Sequence, residues 1–179
     1  MSERFAEPPQ AAAWVELNEN DYRHTWSRFS DRFSFRASTT PDGWPAIKEP
    51  TPSVTFDLST ITDGPQRGAA YDAINTEAVR AFVWALPDID YWLALDWQHP
   101  AYRFRPSVHA LTWKPDWAIP VYPDGDYFSF LTPDMTCGTF GHPWERTLCV
   151  FGEPLVQTLG LSLGTWLPTK RRSVPRGTL

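Results

Sequence analysis

The chain has 179 residues, enough for one domain with a sizeable core. Its formal charge of −5 argues against a nucleic-acid partner, and an apolar content of 42% fits a globular protein. No apolar run approaches the roughly 20 residues that span a bilayer. The first ten residues, MSERFAEPPQ, lack the apolar stretch of a signal peptide, so a cytoplasmic protein without a membrane partner is expected.

The aromatic load is high, with 10 Trp and 11 Phe. Side chains of that size build a large core, or a core plus an aromatic pocket or interface. Cys137 and Cys149 are too few for a disulfide scaffold and read as two reduced, half-buried thiols.

Residues 1–12 are polar and Pro-bearing and read as a disordered tail, with the folded domain expected over 13–167. Asn18 or Asn20 can cap a helix from Asp21, along which Tyr22, Trp26, Phe29 and Phe33 recur at helical spacing. His24 lies off that stripe. Phe33, Phe35 and Ala37 alternate with polar residues and predict a short strand. A Pro-rich loop carrying Trp44 follows, then a half-buried strand over 53–59. Asn75 or Thr76 opens a second helix, with Ala78, Val79, Phe82, Val83 and Leu86 on one face and Pro87 at its end.

The run YWLALDW (Tyr91–Trp97) is apolar on both faces and predicts a central strand. Gln98-His99-Pro100 turns the chain into a strand holding Tyr102 and Phe104. Ala118–Tyr122 is predicted to pair with 127–132 across the turn at Asp124-Gly125. That turn also begins like a calcium loop but lacks the later ligands. The region from Pro123 to Pro154 reads as a β-meander, with strands near 127–131, 139–140 and 148–151. A short helix is expected over 153–161, and residues 168–179 read as a basic, flexible tail. These elements make an α+β domain with a mainly antiparallel sheet and two or three helices on one face.

Asp96 and His99 in DWQHP, with His142 and Glu145 in GHPWE, form the one candidate constellation for catalysis. If the two His-Pro corners meet, two imidazoles and two carboxylates share a pocket rimmed by Trp97 and Trp144. A carboxylate beside an imidazole raises its pKa and fixes its tautomer, as acid–base work needs. The same groups could ligate a divalent metal, or merely shape two corners, since a residue before Pro is held extended. Arg103 and Arg105, two apart on one strand, share a facing and could receive a carboxylate or phosphate. No cofactor motif is present: there is no Walker loop, GxGxxG or GxSxG, and the reading assigns no cofactor and no metal.

The strings TFDLS (55–59), ALDWQHPAYRF (94–104), PDGDYFSFLTPD (123–134) and GTFGHPWERTLCVFGEPL (138–155) resemble a bacterial family known as domain of unknown function 2716. The resemblance runs from about Trp14 to Leu159 and implies no reaction, cofactor or partner. A looser likeness is to bacterial immunity proteins, which are small, acidic, Trp-rich α+β domains. Together these observations favour a non-catalytic binding module, immunity-protein-like, that holds a protein partner. A small-molecule enzyme or carrier using Asp96, His99, His142 and Glu145 is the alternative.

Overall fold

The structure, a computed structural model, describes residues 12–175. Eight strands form one antiparallel sheet: β1 (Trp14–Glu16), β2 (Ser53–Asp57), β3 (Trp92–Asp96), β4 (Tyr102–Phe104), β5 (Phe128–Leu131), β6 (Gly138–His142), β7 (Thr147–Phe151) and β8 (Thr169–Ser173). Their order across the sheet is β1-β4-β3-β5-β6-β7-β2-β8. The expected α+β class and antiparallel sheet are both present, and β5-β6-β7 is the expected meander. The N-terminal tail expected over 1–12 falls, but for its last residue, outside the described residues.

The helices are α1 (Glu19–Phe33), α2 (Pro65–Ala85), α3 (Pro106–Leu111), α4 (Glu153–Leu155) and α5 (Leu161–Leu163), the last two joined by a π-helical turn over Val156–Gly160. None is long and apolar enough to cross a membrane. Asn18 caps α1 as expected, its side-chain oxygen accepting from the Asp21 N–H at 2.9 Å. Phe29 and Phe33 are buried, while His24 is exposed.

The helices do not share one face. Phe29 and Phe33 of α1 pack with Leu93, Leu95, Leu131, Phe140 and Phe151. Ile74, Ala78 and Phe82 of α2 pack with Val54, Phe56, Trp92, Ala94 and Phe130 on the other side, as do Leu155, Leu159 and Leu163. Alternation along β3 explains this: Trp92 and Ala94 point one way and Leu93 and Leu95 the other, so a strand apolar on both faces needs helices on both. Phe82 stacks on Trp92 at a centroid separation of 4.0 Å. Burying such a ring contributes about 2 kcal/mol. Cys137 and Cys149 fall in different clusters, both buried and unbridged, and burial pushes the Cys149 thiol up to about 12.

Several local expectations are corrected. Residues 35–38 form no strand; α1 ends at Ser34, in left-handed backbone with φ 51°. Helix α2 begins ten residues before Asn75, because Pro65 occupies its first turn, where no N–H partner is needed, after Gly64 at φ 88°. Residues 118–122 form no strand. The Val121 and Tyr122 N–H groups instead donate to the buried Asn75 side-chain oxygen, at 2.7 and 3.1 Å. Thr169–Ser173, expected within a flexible tail, is edge strand β8, paired antiparallel with β2.

Candidate functional site

The two His-Pro corners lie at one end of the sheet. Asp96 at the end of β3 pairs with Phe128, which pairs in turn with Gly141 at the end of β6. Strand β5 separates the corners, and Tyr127, just before it, touches both. The Trp97 N–H donates to the Tyr127 carbonyl at 3.2 Å, and their rings meet edge-on at 5.7 Å. The His142 imidazole stands 4.7 Å from the same ring.

The corners converge without merging. His142 is fully buried, and its Nδ1 accepts the Glu145 backbone N–H at 3.0 Å. An accepting Nδ1 puts the proton on Nε2, which faces the Tyr127 hydroxyl at 3.4 Å. That hydroxyl donates to the Ser38 carbonyl at 2.6 Å and accepts the Ser38 N–H at 2.9 Å. Trp44 covers the imidazole edge-on at 5.5 Å. Burial holds the His142 pKa down at about 4, against a smaller upward pull from Glu145. The imidazole is therefore neutral near pH 7 and enclosed.

Glu145 is committed to a different partner. Its carboxylate accepts from Arg171 at 2.5 and 3.0 Å and from the Thr147 hydroxyl at 3.0 Å. Arg171 also donates to Glu49, at 2.7 and 3.1 Å, so one guanidinium bridges two carboxylates. Burial raises the Glu145 pKa, but the Arg171 hydrogen bonds and charge outweigh it and leave it lowered. Sequence reasoning missed Arg171, because KRR in a terminal segment carries no sign of a carboxylate distant in the chain.

Asp96 and His99 pair on the open side of this end. His99 Nδ1 lies 3.0 Å from Asp96 Oδ1 and 3.8 Å from Asp126 Oδ2. One ligand atom from each of these three residues falls within 4.8 Å of the others. The Asp96 hydrogen bond raises the His99 pKa, and desolvation raises those of both aspartates. Such a group can hold a shared proton or meet a cation at the surface. The rims share the Tyr127 ring and otherwise differ: Trp97 lies beside Tyr22, Trp26 and Phe35, whereas Trp144 packs near His142.

Arg103 and Arg105 do not act as one anion receptor. Arg103 pairs with Asp21 of α1 at 2.9 Å and lies over the Tyr91 ring. Arg105 has left β4 for the start of α3 and pairs with Asp90 at 3.6 Å. β4 stops at Phe104, between the two arginines, and their guanidinium groups take different partners.

A concave site that the sequence did not suggest lies between α2 and α3. This groove, about 470 Å³, is lined by Val79, Arg80, Val83 and Trp84 of α2 and by His109 and Trp117. Trp84 is 76% exposed, Leu111 80% and Trp113 88%. His109, by contrast, is buried at the groove wall. The available signal was Trp84, which falls outside the buried face Ala78, Ala81, Phe82 of its own helix.

Comparisons with known proteins carry no chemistry to any of these residues. A family model described as "Protein of unknown function (DUF2716)" matches residues 16–156. The uncharacterized protein YxiI of Bacillus subtilis (strain 168) is 29% identical over 154 residues, covering 82% of this chain and 91% of that protein. No solved structure matches the chain.

Proposed function

Since the chain belongs to the DUF2716 family of proteins of unknown function, its relatives hand it no activity, and we propose that it is a non-catalytic binding module holding a protein partner on the α2–α3 face. The observation that carries this reading is a groove lined by the exposed Trp84, with Leu111 and Trp113 also exposed in the segment whose Ala110 and Thr112 line it. Large apolar side chains gathered at a concave surface mark interaction sites, and Trp is among the residues that concentrate binding energy there. The exposed Asp88 and Asp116 adjoin this face in sequence. With a chain charge of −5 they suit a basic partner, whose approach the acidic field would speed. An immunity-protein-like role toward a basic, toxin-like enzyme fits that chemistry.

The other reading, an enzyme or carrier built on Asp96, His99, His142 and Glu145, draws less support. His142 is enclosed and Glu145 is taken by Arg171, so only Asp96 and His99 remain open to a substrate.

Affinity capture from the native host tests the docking face. The wild type should retain a stoichiometric protein, and the purified pair should re-form. Trp84→Ala combined with Trp113→Ala touches two exposed side chains and should weaken the pair at least 30-fold, about 2 kcal/mol. Capture unchanged by the double substitution, or no retained protein, would remove the proposal.

A further inference from the structure

We infer that Asp96, His99 and Asp126 form a surface site for a divalent transition-metal ion such as Zn²⁺, held by one imidazole nitrogen and two carboxylate oxygens. The site is separate from the α2–α3 groove and shares none of its lining residues.

The backbone places the three ligands. Asp96 closes β3, where it pairs with Phe128 of β5. The chain then turns, with the His99 N–H donating to the Asp96 carbonyl at 3.2 Å, and this brings the imidazole back to the carboxylate. Its Nδ1 lies 3.0 Å from Asp96 Oδ1. Asp126 stands just before β5. Its Oδ1 accepts the Tyr127 N–H at 2.7 Å, while its Oδ2 lies 3.8 Å from the same His99 nitrogen. Zn–N and Zn–O bonds of about 2.1 Å put neighbouring ligand atoms about 3.0–3.4 Å apart in octahedral or tetrahedral geometry. The separations of 3.0 and 3.8 Å are close to that range, so small side-chain rotations close the site.

Charge asks for a cation as well. The Asp96 and Asp126 side chains are each only 19% exposed, and among the described residues His99 is the one basic group that either of them meets. Glu145, also shielded from water, has Arg171 instead. Two half-buried carboxylates carry two negative charges, of which even a protonated imidazole offsets only one. A divalent ion offsets both. The imidazole selects Zn²⁺ and its neighbours over Ca²⁺ and Mg²⁺, which prefer oxygen donors throughout. Three protein ligands leave further positions for water or for a donor atom of a bound molecule. The His99 side chain is 57% exposed, so the site is reachable from solvent.

The test is calorimetric titration of the full, chelator-stripped chain with zinc chloride. One Zn²⁺ should bind per chain, and millimolar Ca²⁺ should not displace it. Asp126→Asn keeps an acceptor for the Tyr127 N–H, and His99→Ala alters an exposed side chain, so both variants should fold. Each should weaken Zn²⁺ binding at least about 100-fold, since groups that merely support a ligand are worth roughly 10–100-fold. His24→Ala changes an exposed imidazole outside the cluster and should leave binding intact. Paramagnetic Co²⁺ should broaden the amide resonances of Trp97, His99 and Tyr127 first, which locates the ion in the wild type even if a variant misfolds. No saturable binding, affinity unchanged in either cluster variant, displacement by Ca²⁺, or broadening centred elsewhere would overturn the inference.

Discussion

Arg171 on the last strand donates two hydrogen bonds to Glu145 in the β6–β7 turn, at 2.5 and 3.0 Å. This contact fastens β8 to the sheet where its short pairing with β2 breaks register between Thr55 and Phe56. The Glu145 side chain is only 4% exposed, so it cannot fall back on water if the guanidinium is removed.

Arg171→Ala should therefore destabilise the protein by about 3 kcal/mol, the low end for a severed buried pair because Arg171 is itself partly solvated. Removing one cation strands two carboxylates, those of Glu49 and Glu145. Urea denaturation at neutral pH measures the loss. A change below about 0.5 kcal/mol would show that β8 does not depend on this contact.

Stability should also fall with acid in a defined window. His142 has its pKa lowered from 6.5 to about 4 in the folded protein. The unfolded chain thus binds a proton more readily between those values. The neutral-imidazole contribution is whole above pH 6.5 and lost progressively as the pH falls toward 4, to a total of about 3 kcal/mol. Glu145, also lowered, adds a loss of the same sign below the ordinary glutamate pKa of 4.5. His142→Asn keeps an acceptor for the Glu145 N–H and cannot titrate. Denaturation midpoints of that variant should fall less steeply between pH 6.5 and 5 than those of the wild type, the residual slope coming from His109, lowered by burial, and His99, raised by Asp96, which act in opposite directions. Equal slopes in both proteins would place the titration elsewhere.

Patterns carried by neighbouring residues were readable from sequence, and patterns carried by distant partners were not. The stripe Tyr22, Trp26, Phe29, Phe33 specifies α1 through its own spacing, and the double-faced run at β3 specifies a central strand. That same run implies cover on both faces, although the helices were expected on one. The segment at 118–122 has strand composition, but its N–H groups are claimed by Asn75, 46 residues earlier. The sharing of one sheet end by Asp96 and His142 follows from strand order. That His142 turns inward depends on Tyr127, Ser38 and Trp44 meeting it, and no local pattern encodes that. The α2–α3 groove was hidden for the same reason, since one of its walls is α3, a short helix that the periodicity did not reveal.

Gly152 tests how tightly the end of β7 is built. Its φ of +85° disfavours any residue with a Cβ, and an added Cβ would lie 2.5 Å from Cys137 Sγ and 2.8 Å from the Cys137 Cα and the Thr136 carbonyl oxygen. Two of those three atoms are backbone, so the clash cannot be relieved by a rotamer change. Gly64 has a similar φ, +88°, but nothing stands within 4 Å of the position its Cβ would take. Alanine at position 64 should therefore cost only the backbone strain, about 1–2 kcal/mol. Alanine at 152 adds overpacking to that strain, for a total of about 4 kcal/mol. Chemical denaturation of the two variants separates the terms. Comparable losses at both sites would mean that the strand end yields and that contact with Cys137 does not govern it.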